Sequence, residues 1–220
     1  GLYYMTKEKK STDTEKMKGE GMIFYSLEEV KIAYNEKVAD LHACIKGRIN
    51  NISGKASLIE TTVGRVLFNE FVPEKVEFVN TLLTKKALRD VIGNVLETCG
   101  VADTVFFLDA IKTIGFEMAF KGGLSFNLGD VIVPDEKEVL ISDANKKVDE
   151  IKANYSMGFI TNNERYNQVI DVWTTTNARL TDTVMRNISS DKQGFNSVYM
   201  MLDSGARGSK EQIRQLSGMR

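Results

Sequence analysis

The chain has 220 residues, enough for one or two domains with a real hydrophobic core. Its 29 Lys and Arg against 30 Asp and Glu leave a formal charge of −1, without the basic excess of a free-standing nucleic-acid binder, so any nucleic-acid contact is expected to be local. Two well-separated cysteines, Cys44 and Cys99, and one histidine, His42, argue against a zinc site, and no segment offers the roughly 20 consecutive apolar residues of a membrane span.

At the N terminus the Leu2-Tyr3-Tyr4-Met5 run is far too short for the apolar region of a secretory signal, so a cytoplasmic chain with no membrane partner is expected. Residues 7–18 are polar and charge-rich and read as a mobile loop, and Met22-Ile23-Phe24-Tyr25 reads as a short strand. Ser26-Leu27-Glu28-Glu29 is a capping box that opens a helix to about Asn35. Leu41, Ala43, Ile45 and Ile49 then alternate with His42, Cys44, Lys46 and Arg48, the pattern of a half-buried strand. His42 on such a strand reads as a pairing or surface residue rather than a ligand or base. Residues 49–56 are turn-rich, and 61–71 read as extended or mixed structure. Leu88, Val91, Ile92, Val95 and Cys99 mark a helix buried on one face and ended by Gly100. A second helix runs from about Asp103 to Lys121, stopped by Gly122-Gly123, and Val131-Ile132-Val133 ahead of Pro134 reads as a strand or an extended approach to the next region. Core packing accounts for all of these apolar positions without a cofactor.

Further on, Ile141, Ala144, Val148, Ile151 and Tyr155 advance in alternating steps of three and four, the heptad spacing of a helix packed along one partner. Gly158 ends that helix, and Thr161-Asn162-Asn163-Glu164 is a second capping box that starts a return helix. There Tyr166, Val169, Trp173, Thr176 and Leu180 repeat the spacing, and Val184 and Ile188 extend it. The short connection over 157–161 requires antiparallel neighbours, which predicts a two-helix coiled-coil hairpin from about residue 135 to 188. An ordinary hairpin inside a helical domain competes on equal terms from spacing alone. Against it, one narrow apolar seam leaves most of the circumference polar, which suits a projecting hairpin that partners dock against. Its tip, Met157, Gly158, Phe159, Thr161, Asn162 and Asn163, is the candidate docking site.

The last stretch, FNSVYMMLDSGARGSKEQIRQLSGMR from Phe195, contains a glycine-rich turn, Ser204-Gly205-Ala206-Arg207-Gly208-Ser209, feeding a helix that starts near Lys210 with Ser209 as N-cap. Exposed amides and the positive end of a helix dipole favour anions at such a place. Arg207 in the turn and Arg214 about one and a half turns into the helix are spaced to grip one phosphate-rich ligand. The competing reading, a helix corner with a solvated arginine at each end, is favoured by spacing alone because Gly-rich corners are common punctuation. With Gly1 in place of an initiator Met and no helix stop after Gln215-Leu216, the chain reads as part of something larger.

These blocks carry a resemblance. GLYYMT at the start, KGEGMIFYS at 18–26, DLHA at Asp40, TTVGR at Thr61, GFITNNERYN at Gly158, FNSVYMM at Phe195 and DSGARGSKEQIRQLSGMR at Asp203 resemble, in order through nearly the whole chain, the beta-prime (largest catalytic) subunits of bacterial RNA polymerase. The resemblance implies an α+β chain: a pore-type mixed region over residues 1–133, a funnel rim-helix hairpin over 134–193, and a Gly-Arg turn with a truncated helix facing the active centre over 194–220. It further implies a secondary channel that admits nucleoside triphosphates, with Arg207 and Arg214 contacting the incoming triphosphate and Gln215 and Met201 lining its path. Gre-type cleavage factors would enter by the same channel. The other implied partners are the beta, alpha, omega and sigma subunits, with DNA and RNA held through the full enzyme.

The family holds its catalytic magnesium with an Asn-Ala-Asp-Phe-Asp-Gly-Asp motif that these 220 residues lack. No cofactor is therefore expected in this chain, and no catalysis by it alone, with magnesium and zinc held elsewhere in the subunit. Some family members bind guanosine tetraphosphate at the base of the rim helices through a tyrosine and a lysine. Thr113 and Gln168 stand at those positions here, and although Asp109 and Asn167 match, that site is not expected. Two other classes compete: a helical-hairpin interaction module with no nucleotide role, and a stand-alone phosphate-binding enzyme. The second lacks a general base near the Gly-Arg turn.

Overall fold

The structure, a computed structural model, describes residues 1–12, 17–50 and 56–219. The described chain is α+β and forms two compact units, one of Gly1–Ser125 with Asp203–Gly205 and the other of Phe126–Leu202 with Ala206–Arg220. Each is built around its own apolar cluster.

In the first unit, helix α1 (Leu2–Thr6) precedes a loop whose described residues carry no regular structure up to the turn at 18–20, residues 13–16 lying outside the description. Strand β1 (Ile23–Phe24) and helix α2 (Leu27–Asn35) follow. Ser26 caps α2 by accepting from the Glu29 N–H at 3.2 Å, while the Glu29 carboxylate reaches back to the Tyr25 N–H at 2.7 Å, one residue short of a reciprocal box. Strand β2 (Cys44–Asn50) lies between β1, parallel to it, and β3 (Ala56–Thr62), antiparallel, with Cys44 opposite Thr62 and Asn50 opposite Ala56. Ile45, Gly47 and Ile49 face the core and Cys44, Lys46 and Arg48 do not, as period-two alternation requires.

Three expectations change here. β2 begins at Cys44 rather than at Leu41, and His42 sits in the turn before it, where its Nδ1 lies 2.8 Å from the Lys7 carbonyl and its ring meets the edge of Tyr4 at 4.5 Å. Residues 49, 50 and 56 are strand, not turn; 51–55 lie outside the described residues. The segment after β3 is not extended but a helix, α3 (Val63–Asn69), capped by the Thr62 hydroxyl. Its β-branched and glycine content predicts helix poorly, and burial of Val63, Val66, Leu67 and Phe68 overrides that preference.

Helices α4 (Lys85–Cys99) and α5 (Val101–Lys121) match the expected spans and turn at Gly100. Val95 of α4 and Phe107, Ile111, Ile114 and Met118 of α5 close the core, Phe107 meeting Phe68 edge-on at 6.3 Å.

In the second unit a one-turn 3-10 helix (Leu128–Asp130) leads into residues 131–133, which are an extended approach and not a strand. Helices α6 (Lys137–Ser156) and α7 (Asn162–Ser190) form the antiparallel hairpin. Its turn needs Gly158, whose φ of +80° is open to glycine and costly for other residues. At Thr161 the box is complete: the Thr161 N–H donates to Glu164 Oε2 at 2.7 Å and the Glu164 N–H to the Thr161 hydroxyl at 3.3 Å.

The seam is buried at Ala144, Val148, Thr176, Leu180, Val184 and Ile188, and it opens toward the tip, where Tyr166 is 63% exposed. Trp173 is half-buried, so Trp173→Ala is expected to cost about 2 kcal/mol, below the 3–5 typical of a fully buried ring. Denaturant melts check the cost, and the emission maximum of this sole tryptophan should fall between the water-exposed and fully buried extremes.

Candidate functional site

The Gly-Arg turn joins helix α8 (Ser197–Asp203) to helix α9 (Lys210–Ile213), which continues into a π turn over Arg214–Gly218. The helical backbone thus closes at Gly218, although no stop was expected after Gln215-Leu216. Ser209 caps α9 as expected and does so reciprocally: its N–H donates to Gln212 Oε1 at 3.0 Å, and the Gln212 N–H donates to its hydroxyl at 3.3 Å. Two of the amides expected to attract an anion are therefore already satisfied, and a four-residue α9 offers little dipole.

The turn folds back on α8 through the Arg207 N–H, which donates to the Met201 carbonyl at 3.4 Å. Between them lies a hollow of about 310 Å³. Met201, Arg207, Gln212 and Gln215 stand on its rim with Phe126, Val131, Val198, Leu202, Ile213 and Leu216 as apolar walls. Arg207 is exposed and makes no ion pair among the described residues, so its charge is available to a ligand.

Arg214 is placed differently. Its side chain is only 18% exposed; Nε donates to Glu211 at 2.8 Å, and Nη1 donates to the Met219 carbonyl at 2.8 Å and to Asn177 of α7 at 3.3 Å. The structure brings Met201, Arg207 and Gln215 to one hollow and turns the Arg214 guanidinium to partners within its own unit.

Behind the hollow is a residue that sequence reasoning passed over. Asn196 is fully buried. Its Oδ1 accepts from the N–H groups of Val198 and Tyr199 at 2.9 and 3.2 Å, capping α8, and its Nδ2 donates to the Asp130 carbonyl at 3.0 Å and Asp191 Oδ2 at 2.8 Å. The Phe195-Asn196-Ser197 run before a helix is an N-cap signal that would have found it.

Asp130 is held twice more, by the Asn127 N–H and by Lys192 Nζ, each at 2.9 Å. The Asn127 amide, then the Lys192 ammonium, hold its carboxyl below the ordinary carboxylate value, and the same carboxylate raises Lys192. The lowered Asp130 favours folding above the ordinary carboxylate pKa and loses that contribution as pH falls through its folded value. The raised Lys192 favours folding below the ordinary lysine pKa and loses it as pH rises through its folded value. Melting at constant ionic strength is expected to decline at both extremes, and Lys192→Ala should erase this alkaline loss while leaving a smaller acid one.

At the hairpin tip Met157 is 67% and Phe159 74% exposed, with Thr161, Asn162 and Asn163 also exposed around Gly158. Arg165 stacks over the Tyr155 ring at 4.6 Å, tying the two helices just below. Elsewhere, Thr113 donates its hydroxyl to the Asp109 carbonyl and Lys112 pairs with the Asp109 carboxylate at 3.1 Å, while Asn167 and Gln168 are exposed on α7.

In the first unit a hollow of about 350 Å³ borders Cys44. Burial, followed by Glu8 and Glu20, pushes that thiol up, the opposite of an activated nucleophile. No three His, Cys, Asp or Glu side chains cluster as metal ligands among the described residues, and no helix of the described chain is long and apolar enough to cross a membrane.

Residues 1–131 match the family described as RNA polymerase Rpb1, domain 3, and residues 160–220 match RNA polymerase Rpb1, domain 4. The chain is 57% identical over 224 residues to the DNA-directed RNA polymerase subunit beta' of Bacteroides fragilis, 60% over 223 residues to that of Karelsulcia muelleri, and 58% over 224 residues to that of Flavobacterium johnsoniae. Each alignment covers 100% of this chain and 15%, 15% and 16% of the respective relative, so the chain spans about 15% of the length of the curated relatives it matches. The chain therefore belongs to the DNA-directed RNA polymerase subunit beta' family.

Proposed function

We propose that these residues serve DNA-directed RNA synthesis as the part of a catalytic subunit that lines the entry channel for nucleoside triphosphates, in a bacterial cytoplasmic enzyme. In this reading residues 1–133 border the pore, 134–193 form the rim hairpin, and 194–220 approach the active centre. Kinship to beta' subunits along the whole of this chain supports it. Arg207, Met201 and Gln215 border the substrate path, Arg207 supplying the forward charge and Arg214 bracing the turn that carries it. The chain positions substrate by electrostatics and shape. Phosphoryl transfer itself needs a magnesium site contributed by other residues of the subunit. Beta, alpha, omega and sigma subunits, DNA and RNA are partners of the whole enzyme.

The hairpin tip is the docking site for Gre-type channel factors in this proposal, because Met157 and Phe159 present apolar side chains to solvent beside hydrogen-bonding Asn162 and Asn163. Replacing Met157 and Phe159 together with Ser in the complete polymerase is expected to reduce factor-stimulated transcript cleavage by about tenfold or more while basal nucleotide addition stays as it was. Undiminished stimulation would remove the docking role.

Two observations favour a second reading, a hairpin interaction module without a nucleotide role: the Arg214 guanidinium is already engaged, and the hollow beside Arg207 is walled by apolar side chains. Titration of a triphosphate against the isolated chain distinguishes both from a stand-alone enzyme, which alone predicts tight binding. The kinetic comparison of Arg207 and Arg214 separates the remaining two.

A further inference from the structure

We propose that Asn196 is the positioning residue of the Arg207 hollow, setting the distance between its walls and thereby the place of the arginine. This rests on the substrate-path reading above and goes beyond it by naming the group that holds the path open. One wall is Val131, and the carbonyl of the preceding Asp130 accepts from Asn196 Nδ2 at 3.0 Å. Another part of the lining is α8, with Val198, Met201 and Leu202, and the first amides of that helix donate to Asn196 Oδ1. A single buried carboxamide thus bonds to both of these lining segments. The chain from one amide contact to Arg207 is short, because Met201 lies one turn along α8 and its carbonyl accepts from the Arg207 N–H at 3.4 Å.

The surroundings make the carboxamide hard to replace. Both ends of its side chain are used, with acceptors facing Nδ2 and donors facing Oδ1, so only an amide of this length satisfies all of them. Lys192 and Gln193 pass through left-handed backbone, φ +48° and +57°, on the way to Asn196, and the Lys192 ammonium is clasped to Asp130. Non-glycine residues hold such angles only where surrounding contacts over-determine them. Here Lys192 is tied to the Asp130 carboxylate, and Asn196 holds the carbonyl of the same residue.

The test uses the complete polymerase and single-nucleotide addition at varied triphosphate. Asn196→Ser keeps an acceptor for the α8 amides and loses the donor to Asp130 and Asp191. It is expected to raise the apparent KM for triphosphate about tenfold with a smaller change in kcat, since sub-ångström displacement of a positioning group is costly. Asp191→Ala removes only one acceptor at a half-buried site, keeps the fold if Asn196→Ser does not, and is expected to raise KM about twofold to threefold. Combined with Arg207→Ala, Asn196→Ser should add little further loss, because it acts through the same arginine. A purely structural Asn196 would lower melting and assembly but leave the KM of assembled enzyme unchanged, and that result overturns the proposal while the substrate-path reading stands. If Arg207→Ala itself leaves both KM and the rate of addition unchanged, both fall.

Discussion

Gly64→Ala is expected to unfold much of the first unit's packing, with a loss of about 3 kcal/mol or more and a fall in melting temperature of about 10 °C or more. A β-carbon on Gly64 would stand 1.8 Å from the Met5 carbonyl oxygen, 2.8 Å from its carbon and 3.3 Å from the Leu41 oxygen. All three are main-chain atoms, which cannot rotate aside as a side chain would. The closeness arises from the fold itself: the Gly64 N–H donates to the Leu41 carbonyl at 2.9 Å, and α1 lies against α3 with Met5 fully buried. Gly93 is the matched control, a glycine inside α4 with no atom within 4 Å of an added β-carbon. Gly93→Ala should stabilise by about 0.5–1 kcal/mol, by lowering the entropy of the unfolded chain. Denaturant melts of both variants, with amide exchange on residues 2–6, check the contrast. Equal tolerance of the two would mean that α1 does not approach α3 as described.

What could be read from the sequence was set by how local the signal is. Helices α4, α5, α6 and α7 repeat an apolar face over four turns or more, and the Thr161 and Ser209 capping boxes lie within four residues of chain, so periodicity and capping located them. Helix α3 escaped because seven residues with a glycine and two valines show no period, and only contacts from Met5 and Phe107, far off in sequence, make helix the better state. His42 fitted the alternation of β2 by chance, since the turn at 41–42 precedes the first ladder residue. The candidate site divides in the same way. The Gly-Arg turn and its cap are local and legible. The separation of Arg207 from Arg214 is not, because it depends on Asn177, 37 residues upstream, and on the π turn that brings the Met219 carbonyl to the guanidinium.

That separation gives the two arginines different expected phenotypes. Arg207→Ala in the complete polymerase should remove charge-assisted hydrogen bonds to a highly charged ligand, each worth roughly 1.5–3 kcal/mol, and so raise the apparent KM for triphosphate or slow addition about tenfold or more. Melting should barely move, because Arg207 is exposed and pairs with no carboxylate among the described residues, and such an arginine contributes little to stability. Arg214→Ala leaves the Met219 carbonyl and Asn177 without their donor, which is expected to cost about 1–2 kcal/mol and loosen the π turn. Its kinetic loss should therefore come with a lower melting point. Lys at 207 should recover part of the function through charge alone, whereas Lys at 214 should recover less, since a single ammonium cannot reach Glu211, Asn177 and Met219 at once. Single-nucleotide addition at varied triphosphate, run on enzymes whose assembly is matched, reads the difference directly. Unchanged kinetics for both alanine variants would return the turn to a structural corner. A loss with Arg207→Ala at unchanged melting, beside a loss with Arg214→Ala that tracks its melting, identifies Arg207 as the group that meets the substrate and Arg214 as the one that holds the turn in place.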